Sequence, residues 1–437
     1  MLKTAIGNAA QEQNFEEATY TKVTWRLIPF LFVCYMFAYL DRVNVGFAKL
    51  QMLSDLKFSE TVYGLGAGIF FLGYFIFEVP SNIALHRFGA RKWIARIMIT
   101  WGIVAAAMVF VKTPALFYFL RFLLGVAEAG FFPGIILYLT YWYPAARRGK
   151  IMALFITGVP IAGVIGGPLS GWILNRFDKV NGMPGWQWLF LLEAIPSILT
   201  GIAILFYLDD QITMAKWLTP LQKTLLKNNI AGDAGNLEIH SAFEAFKTRR
   251  VWILCAGHFG IVMGLYGVGF WLPTLIKASG VTDTRDIGLL TMIPYGAAAI
   301  TMILIGYSSD RMKERRWHVA VPAVIGAVGL VMSTFYTGNT VAAIITLTVA
   351  TVGILGALSQ FWSLPTSFLG GAAAAAGIAL INSVGNLAGF VSPYLIGWIK
   401  DTTQSTDVGL YLIAVSLVIA ALFMLSMPKV NLKIRSL

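Results

Sequence analysis

Residues 61–83 read TVYGLGAGIFFLGYFIFEVPSNI, a run whose one charged side chain is Glu78. About twenty apolar residues in a helix cross the hydrocarbon core of a bilayer, and a run of this length and composition is read as a span. The rest of the chain repeats it. Of 437 residues, 57% are hydrophobic and only 12% charged, and the mean hydropathy is +0.73, well outside the composition of soluble domains. Breaking the sequence at charged or Gly/Pro-rich turns gives twelve expected spans, near 24–46, 61–83, 92–112, 115–140, 150–174, 187–208, 250–277, 287–308, 318–337, 340–364, 375–399 and 408–427. The predicted fold class is an all-α membrane protein of two six-helix bundles.

The formal charge of +12 raises the question of nucleic acid. The Lys and Arg residues lie in short loops rather than along one exposed face, so no nucleic-acid partner is expected and the charge reads as topology. With both termini cytoplasmic, the inner loops carry Arg87, Arg91, Lys92 and Arg96, then Arg147, Arg148 and Lys150, then Lys216 through Arg250, then Arg311, Lys313, Arg315 and Arg316. The outer loops mix Lys49, Lys57, Lys277 and Arg285 with Asp55, Glu60, Asp283 and Asp286. The polar start, with Gln13, Asn14, Glu16 and Glu17, lacks the pattern of a cleaved signal peptide, so the first span is expected to stay. The expected location is a bacterial inner membrane, with the lipid bilayer as surroundings and a monomer as the assembly. Cys34 and Cys255 both fall inside apolar runs and read as core thiols, with no metal site.

The longest polar stretch, 209–248, divides the chain into bundles 1–208 and 249–437 and reads as a cytoplasmic linker. An internal repeat supports the division. His86-Arg87-Phe88-Gly89-Ala90-Arg91-Lys92-Trp93 aligns with Asp310-Arg311-Met312-Lys313-Glu314-Arg315-Arg316-Trp317, each after the second span of its half. Pro168-Leu169-Ser170-Gly171-Trp172-Ile173 pairs with Pro393-Tyr394-Leu395-Ile396-Gly397-Trp398-Ile399 at nearly the same offset. Duplicated halves with a site between them are a recurrent plan of secondary transporters.

With these motifs the chain resembles the major facilitator superfamily over essentially its whole length. Gly306-Tyr307-Ser308-Ser309-Asp310-Arg311, followed by Arg315-Arg316, resembles that superfamily's loop signature; in the first-half copy His86 stands where an Asp is usual. Tyr39-Leu40-Asp41-Arg42-Val43-Asn44-Val45-Gly46-Phe47-Ala48 and Arg121-Phe122-Leu123-Leu124-Gly125-Val126-Ala127-Glu128-Ala129-Gly130, continued by Phe131-Phe132-Pro133-Gly134, are similar to the first and fourth spans of its anion:cation symporter family. Gly264-Leu265-Tyr266-Gly267, Phe270-Trp271-Leu272-Pro273 and Asn386-Leu387-Ala388-Gly389 fit the same group. The resemblance implies proton-driven uptake of organic acids, in a branch that includes tartrate, phthalate and hydroxyphenylacetate permeases. The expected partner is thus a small organic anion, with no cofactor and the proton as coupling ion.

Ionisable groups in mid-span are costly unless paired or facing water, and each is a functional candidate. The proton-coupling candidates are Asp41, Glu128 and Arg121. Arg121 and Glu128 are seven apart and share a helix face, and Asp41 is expected to pair with Arg121 while Glu128 takes the transported proton. Arg42, permanently charged and able to grip a carboxylate with two hydrogen bonds, is the expected anion clamp. Tyr74, His258, Tyr266, Gln360, Trp362, Ser363, Asn382 and Asn386 complete the candidate substrate-binding set, with Tyr74, Trp362 and Asn386 favoured by the resemblance. Aromatics such as Phe37, Phe131, Phe132, Phe270 and Trp271 admit an aromatic substrate. Glu78 and Glu193 read as structural or capping residues. Gly163, Gly167 and Gly171, at every fourth position, suit close helix approach. No hydrolase, kinase or dinucleotide signature is present, so the chain is not expected to be an enzyme. Two rivals remain: a proton-coupled exporter of lipophilic compounds, whose fifth-span pattern overlaps Gly163 through Gly171, and a nutrient sensor that binds without transporting.

Overall fold

A computed structural model describes residues 2–234, 247–336, 338–365 and 371–428. Much of the expected linker, residues 235–246, lies outside the described residues. Among the described residues, twelve helices are long and apolar enough to cross a membrane. The first half holds α1 (Gln11–Leu56), α2 (Glu60–Phe88), α3 (Ala90–Phe110), α4 (Pro114–Thr140), α5 (Leu154–Arg176) and α6 (Gly185–Tyr207); the second holds α7 (Arg249–Ala278), α8 (Thr284–Met312), α9 (Trp317–Tyr336), α10 (Thr340–Phe361), α11 (Gly377–Thr403) and α12 (Asp407–Ser426). A further helix, Pro220–Ala234, lies between the halves in sequence. Helices suit a lipid surrounding because every backbone N–H and C=O is satisfied within its own segment. The expected spans match these, although several helices run beyond the apolar run; α1 extends well past both ends of 24–46.

The halves meet chiefly along two helix pairs, α5 on α8 and α2 on α11. Small residues make the approach possible. A Cβ on Gly167 would stand 2.8 Å from the Gly288 carbonyl oxygen, and one on Gly171 would stand 2.5 Å from that of Thr284. On the other side, a Cβ on Gly64 would overlap the Pro393 carbonyl oxygen and one on Gly397 that of Glu60. The small-residue face of α5 therefore serves the contact between halves.

One end of the bundle, the chain-end face, carries the start of α1 and the end of α12; the opposite, distal end is clasped shut. There the Glu60 carboxylate takes Lys49 Nζ at 2.6 Å and Lys400 Nζ at 2.5 Å. Asp401 accepts hydrogen bonds from the backbone N–H groups of Glu60 and Thr61, capping α2, and Tyr63 donates to the Phe270 carbonyl at 2.8 Å. At the chain-end face a cavity of about 680 Å³ opens between α1, α5, α8 and α10, lined by Tyr20, Thr24, Tyr143, Met302, Tyr307 and Gln360 among others.

At that face the missing Asp at His86 is made good from elsewhere. Asp210, just past α6, accepts the Arg91 backbone N–H at 2.7 Å, placing negative charge at the N-terminus of α3. In the second half Arg316, at the start of α9, donates to the Met427 carbonyl past α12 at 2.7 Å. The duplicated loops are thus tied to the end of the sixth helix of their own half, through different groups.

Candidate functional site

The α4 helix breaks immediately after Glu128. Its first part runs Pro114–Glu128 and its second Phe131–Thr140, because Ala129 is extended and Gly130 takes a positive φ of 84°. Only glycine accepts that conformation readily, and a Cβ there would also stand 2.4 Å from Ser81 Oγ. The break leaves Glu128 at the mouth of a discontinuous helix, a recurrent setting for coupling sites in transporters.

Facing it from α1 is Arg42. Its Nη2 donates to Glu128 Oε1 in a short ion pair, and its Nη1 donates to the Tyr266 hydroxyl at 2.8 Å. The guanidinium also stands 5.3 Å from the Phe70 ring centre and 5.5 Å from that of Tyr74. Tyr266 is on α7, so one cation joins α1, α4 and the second half of the molecule. Glu128 is 1% exposed and Arg42 8%; charges this far from water are viable when paired and hydrogen-bonded. Around them Phe71 packs on Tyr266 at 4.4 Å and Phe270 stacks on Tyr266 at 5.8 Å.

The expected pairing of Asp41 with Arg121 is not formed. Arg121, fully buried, donates from Nε to the Gly66 carbonyl at 3.1 Å and from Nη2 to that of Ala67 at 3.3 Å. Asp41 points the other way, into the first bundle, where Oδ2 accepts from Trp101 Nε1 at 2.8 Å and from Ser197 Oγ at 2.5 Å. The physical reason is azimuth. Asp41 and Arg42 are successive residues, which on a helix point about 100° apart, so when Arg42 faces the centre Asp41 turns towards α3 and α6. Arg121 indeed shares a face with Glu128, but the α2 backbone, brought close by Gly125 and Gly73, reaches it first.

The remaining candidates divide. Tyr74 and Tyr266 stand at Arg42. His258 is buried, stacked on Phe361 at 4.5 Å and edge-on to Trp362 at 4.9 Å, with Nδ1 lacking a hydrogen-bond partner. Gln360 lines the open cavity, and Ser363 donates to its carbonyl at 2.6 Å. Asn382 donates to Glu78 Oε1 at 2.9 Å, and Ser383 donates to Oε2 at 3.3 Å; Asn386, one turn on, is half-buried. Of the two roles expected of Glu78, structural or capping, these contacts fit the structural one, a tie between halves. Sequence reasoning passed over Glu193 as well, which is 2% exposed and accepts from Ser170 Oγ at 2.6 Å. The signal for both was present in the sequence, since any carboxylate inside an apolar run is costly. Among the described residues no group of three or more His, Cys, Asp or Glu could hold a metal ion.

The family model described as Major Facilitator Superfamily matches residues 31–393. The chain is 52% identical over 94% of its length to NicT of Pseudomonas putida, named for metabolite transport, covering 95% of that protein. It is 48% identical over 95% of its length to a protein of Agrobacterium vitis named for tartrate transport, covering 92% of it. A quinolone resistance transporter of Acinetobacter baumannii is 43% identical, with 92% and 93% of the two chains covered. Among solved structures, the inward open xylose transporter XylE of E. coli superposes with a TM-score of 0.73 over 94% of this chain and 97% of that one, at 15% identity.

Proposed function

Because the chain belongs to the Major Facilitator Superfamily and is a multi-pass membrane transporter, not an enzyme, we propose that it takes up a small organic anion together with a proton by alternating access. The observation that carries the reading is the Arg42–Glu128 pair. Arg42 carries a single positive charge, so the anion and an ionised Glu128 compete for it. A proton on Glu128 removes its charge and frees Arg42 for the anion; loss of that proton returns Glu128 to Arg42 and expels the anion. Substrate and proton then bind together and leave together, which is symport. Arg121 supplies fixed positive charge two turns away on the same helix, favouring an anionic chamber occupant.

The anion class is a hydroxy-, sugar- or aromatic carboxylate. The tartrate transport named for the Agrobacterium relative supports a carboxylate, and the rings of Phe71, Tyr74, Tyr266 and Phe270 would line its apolar side. In the proposed cycle, bundles 1–208 and 249–437 rock about the chamber, with 209–248 as linker. The basic loops favour a cytoplasmic chain-end face in a bacterial inner membrane, so the clasped distal end and the cavity beneath describe an inward-facing stage.

An exporter is the second reading, favoured by the quinolone resistance relative and by Gly163 through Gly171. The buried Arg42 opposes it, since a lipophilic cation brought to this site would be repelled. Proteoliposomes with an acidic exterior separate the two. The Glu128→Gln protein is expected to lose accumulation of labelled tartrate or benzoate driven by the pH gradient while still exchanging label for unlabelled anion; unaltered accumulation would defeat the assignment.

A further inference from the structure

A second pair of carboxylates lies inside the first bundle, away from Arg42. The α1 and α6 helices run in opposite directions, and the Ser197–Asp41 hydrogen bond fixes their register. Glu193 is one turn before Ser197 and Asn44 is one turn after Asp41, so the antiparallel register sets Asn44 opposite Glu193. Asp41 and Glu193 are each 2% exposed. Their partners are neutral donors: Trp101 and Ser197 for Asp41, Ser170 for Glu193. Asp41 Oδ1 is buried and without a hydrogen bond, and Asn44 is a second neutral partner of Glu193. Among the described residues no cation pairs with either: Arg42 is turned to Glu128 and Tyr266, and Arg121 to the α2 carbonyls. From α1 Glu193 is faced by Asp41 and Asn44, and from α5 by Ser170, while Trp101 of α3 holds Asp41. Two adjacent buried carboxylates with no counter-charge cannot both remain ionised.

Beyond Ser170, the donor to Glu193, is a small void of about 20 Å³ that neither carboxylate lines, with room for one water molecule. Asn44 and Ser170 line it from the first half, Thr291 and Tyr295 from α8 of the second, and Gly163 and Gly167 form its α5 wall. The void therefore sits in the sliding contact between halves and opens when α5 and α8 part.

We propose that Glu193 is a second proton-carrying residue of the transport cycle, which shares a proton with Asp41 and exchanges it with water when the α5–α8 contact opens. The proton passes from one carboxyl group to the other, one O–H bond breaking as the other forms. This rests on the reading of the chain as a proton-coupled carrier, and the test is separable from that reading because it needs no anion. Infrared spectra of the full-length protein in lipid, titrated from about pH 5 to about pH 9, report protonated carboxyl groups directly. In a Glu128→Gln background the expected result is a buried-carboxyl band that fades as pH rises, is lost in Glu193→Gln and returns with a shifted midpoint in Glu193→Asp. A band that keeps its intensity across the range, meaning a permanently protonated structural acid, would overturn the proposal. So would a titration identical in Glu193→Gln, or, should that variant not fold, an unshifted midpoint in Glu193→Asp.

Discussion

Replacing Glu128 by Gln removes the competitor for Arg42, and the consequence for anion affinity can be worked from the site. The two side chains are 10% and 1% exposed, so the pair is scarcely screened by solvent. Taking away one partner of a buried ion pair costs roughly 3–5 kcal/mol, because the other charge is stranded. The variant should accordingly be less stable when empty. An anion that binds to the stranded guanidinium restores a share of that energy, which wild type gains only by first neutralising Glu128. A coupling of about 1–3 kcal/mol between two such events corresponds to roughly 5–150-fold in affinity. The sign follows from linkage: anion and proton favour each other, so raising pH weakens anion binding to wild type, by up to about tenfold per pH unit where one proton is taken up. Titration calorimetry across pH checks this. Wild type should show log Kd rising with pH, whereas Glu128→Gln binds more tightly at high pH with a much flatter dependence. Equal slopes in the two proteins would refute the competition and with it the role given to Glu128.

Three further perturbations follow from the same geometry. Arg42→Lys cannot reach both Glu128 and Tyr266, which Arg42 contacts through separate nitrogens; apparent affinity in uptake assays should fall by roughly one to two orders of magnitude, and near-normal affinity would count against the clamp. Gly125→Ala places a methyl 1.9 Å from the Phe70 carbonyl oxygen, an overlap with backbone that should cost roughly 1–3 kcal/mol and lower the unfolding temperature in detergent; an unchanged value would mean that α2 and α4 are less closely packed. Glu60→Gln dissolves the bridge between Lys49 and Lys400. The Lys400 pair is partly exposed but Lys49 is 3% exposed, so at least about 1 kcal/mol is expected, a shift of roughly fivefold or more towards a distal-open population. Spin-label distances across the distal face should lengthen accordingly, and an unchanged distribution would remove the clasp from the cycle.

What was legible in the sequence and what was not have distinct physical origins. Each span announces itself, because crossing lipid is a requirement on local composition that no other part of the chain can relax. The Gly163, Gly167 and Gly171 stripe was equally plain as a surface for close approach, although its partner on α8 was not. Side-chain pairing was the obscure part. Counting residues along a span gives depth, and depth alone put Asp41 level with Arg121. Which neighbour a charge meets depends on how each helix is rotated, and that is settled by packing against helices far off in sequence. Trp101 and Ser197, which hold Asp41, lie sixty and more than one hundred and fifty positions away. Glu193 and Glu78 looked like structural carboxylates because nothing near them in sequence suggests a partner; one turns out to face a second buried acid and the other the opposite half.

The central claim is that anion and proton cross together, and the most direct measurement needs no imposed pH gradient. Wild-type protein is reconstituted with a pH-sensitive dye in the vesicle lumen, and a carboxylate such as tartrate or benzoate is added outside, against empty vesicles that report passive permeation. The account predicts that the lumen acidifies as labelled anion enters, and that Glu128→Gln abolishes the acidification. Anion entry with the lumenal pH unchanged, or a pH response only to a lipophilic cation, would contradict it.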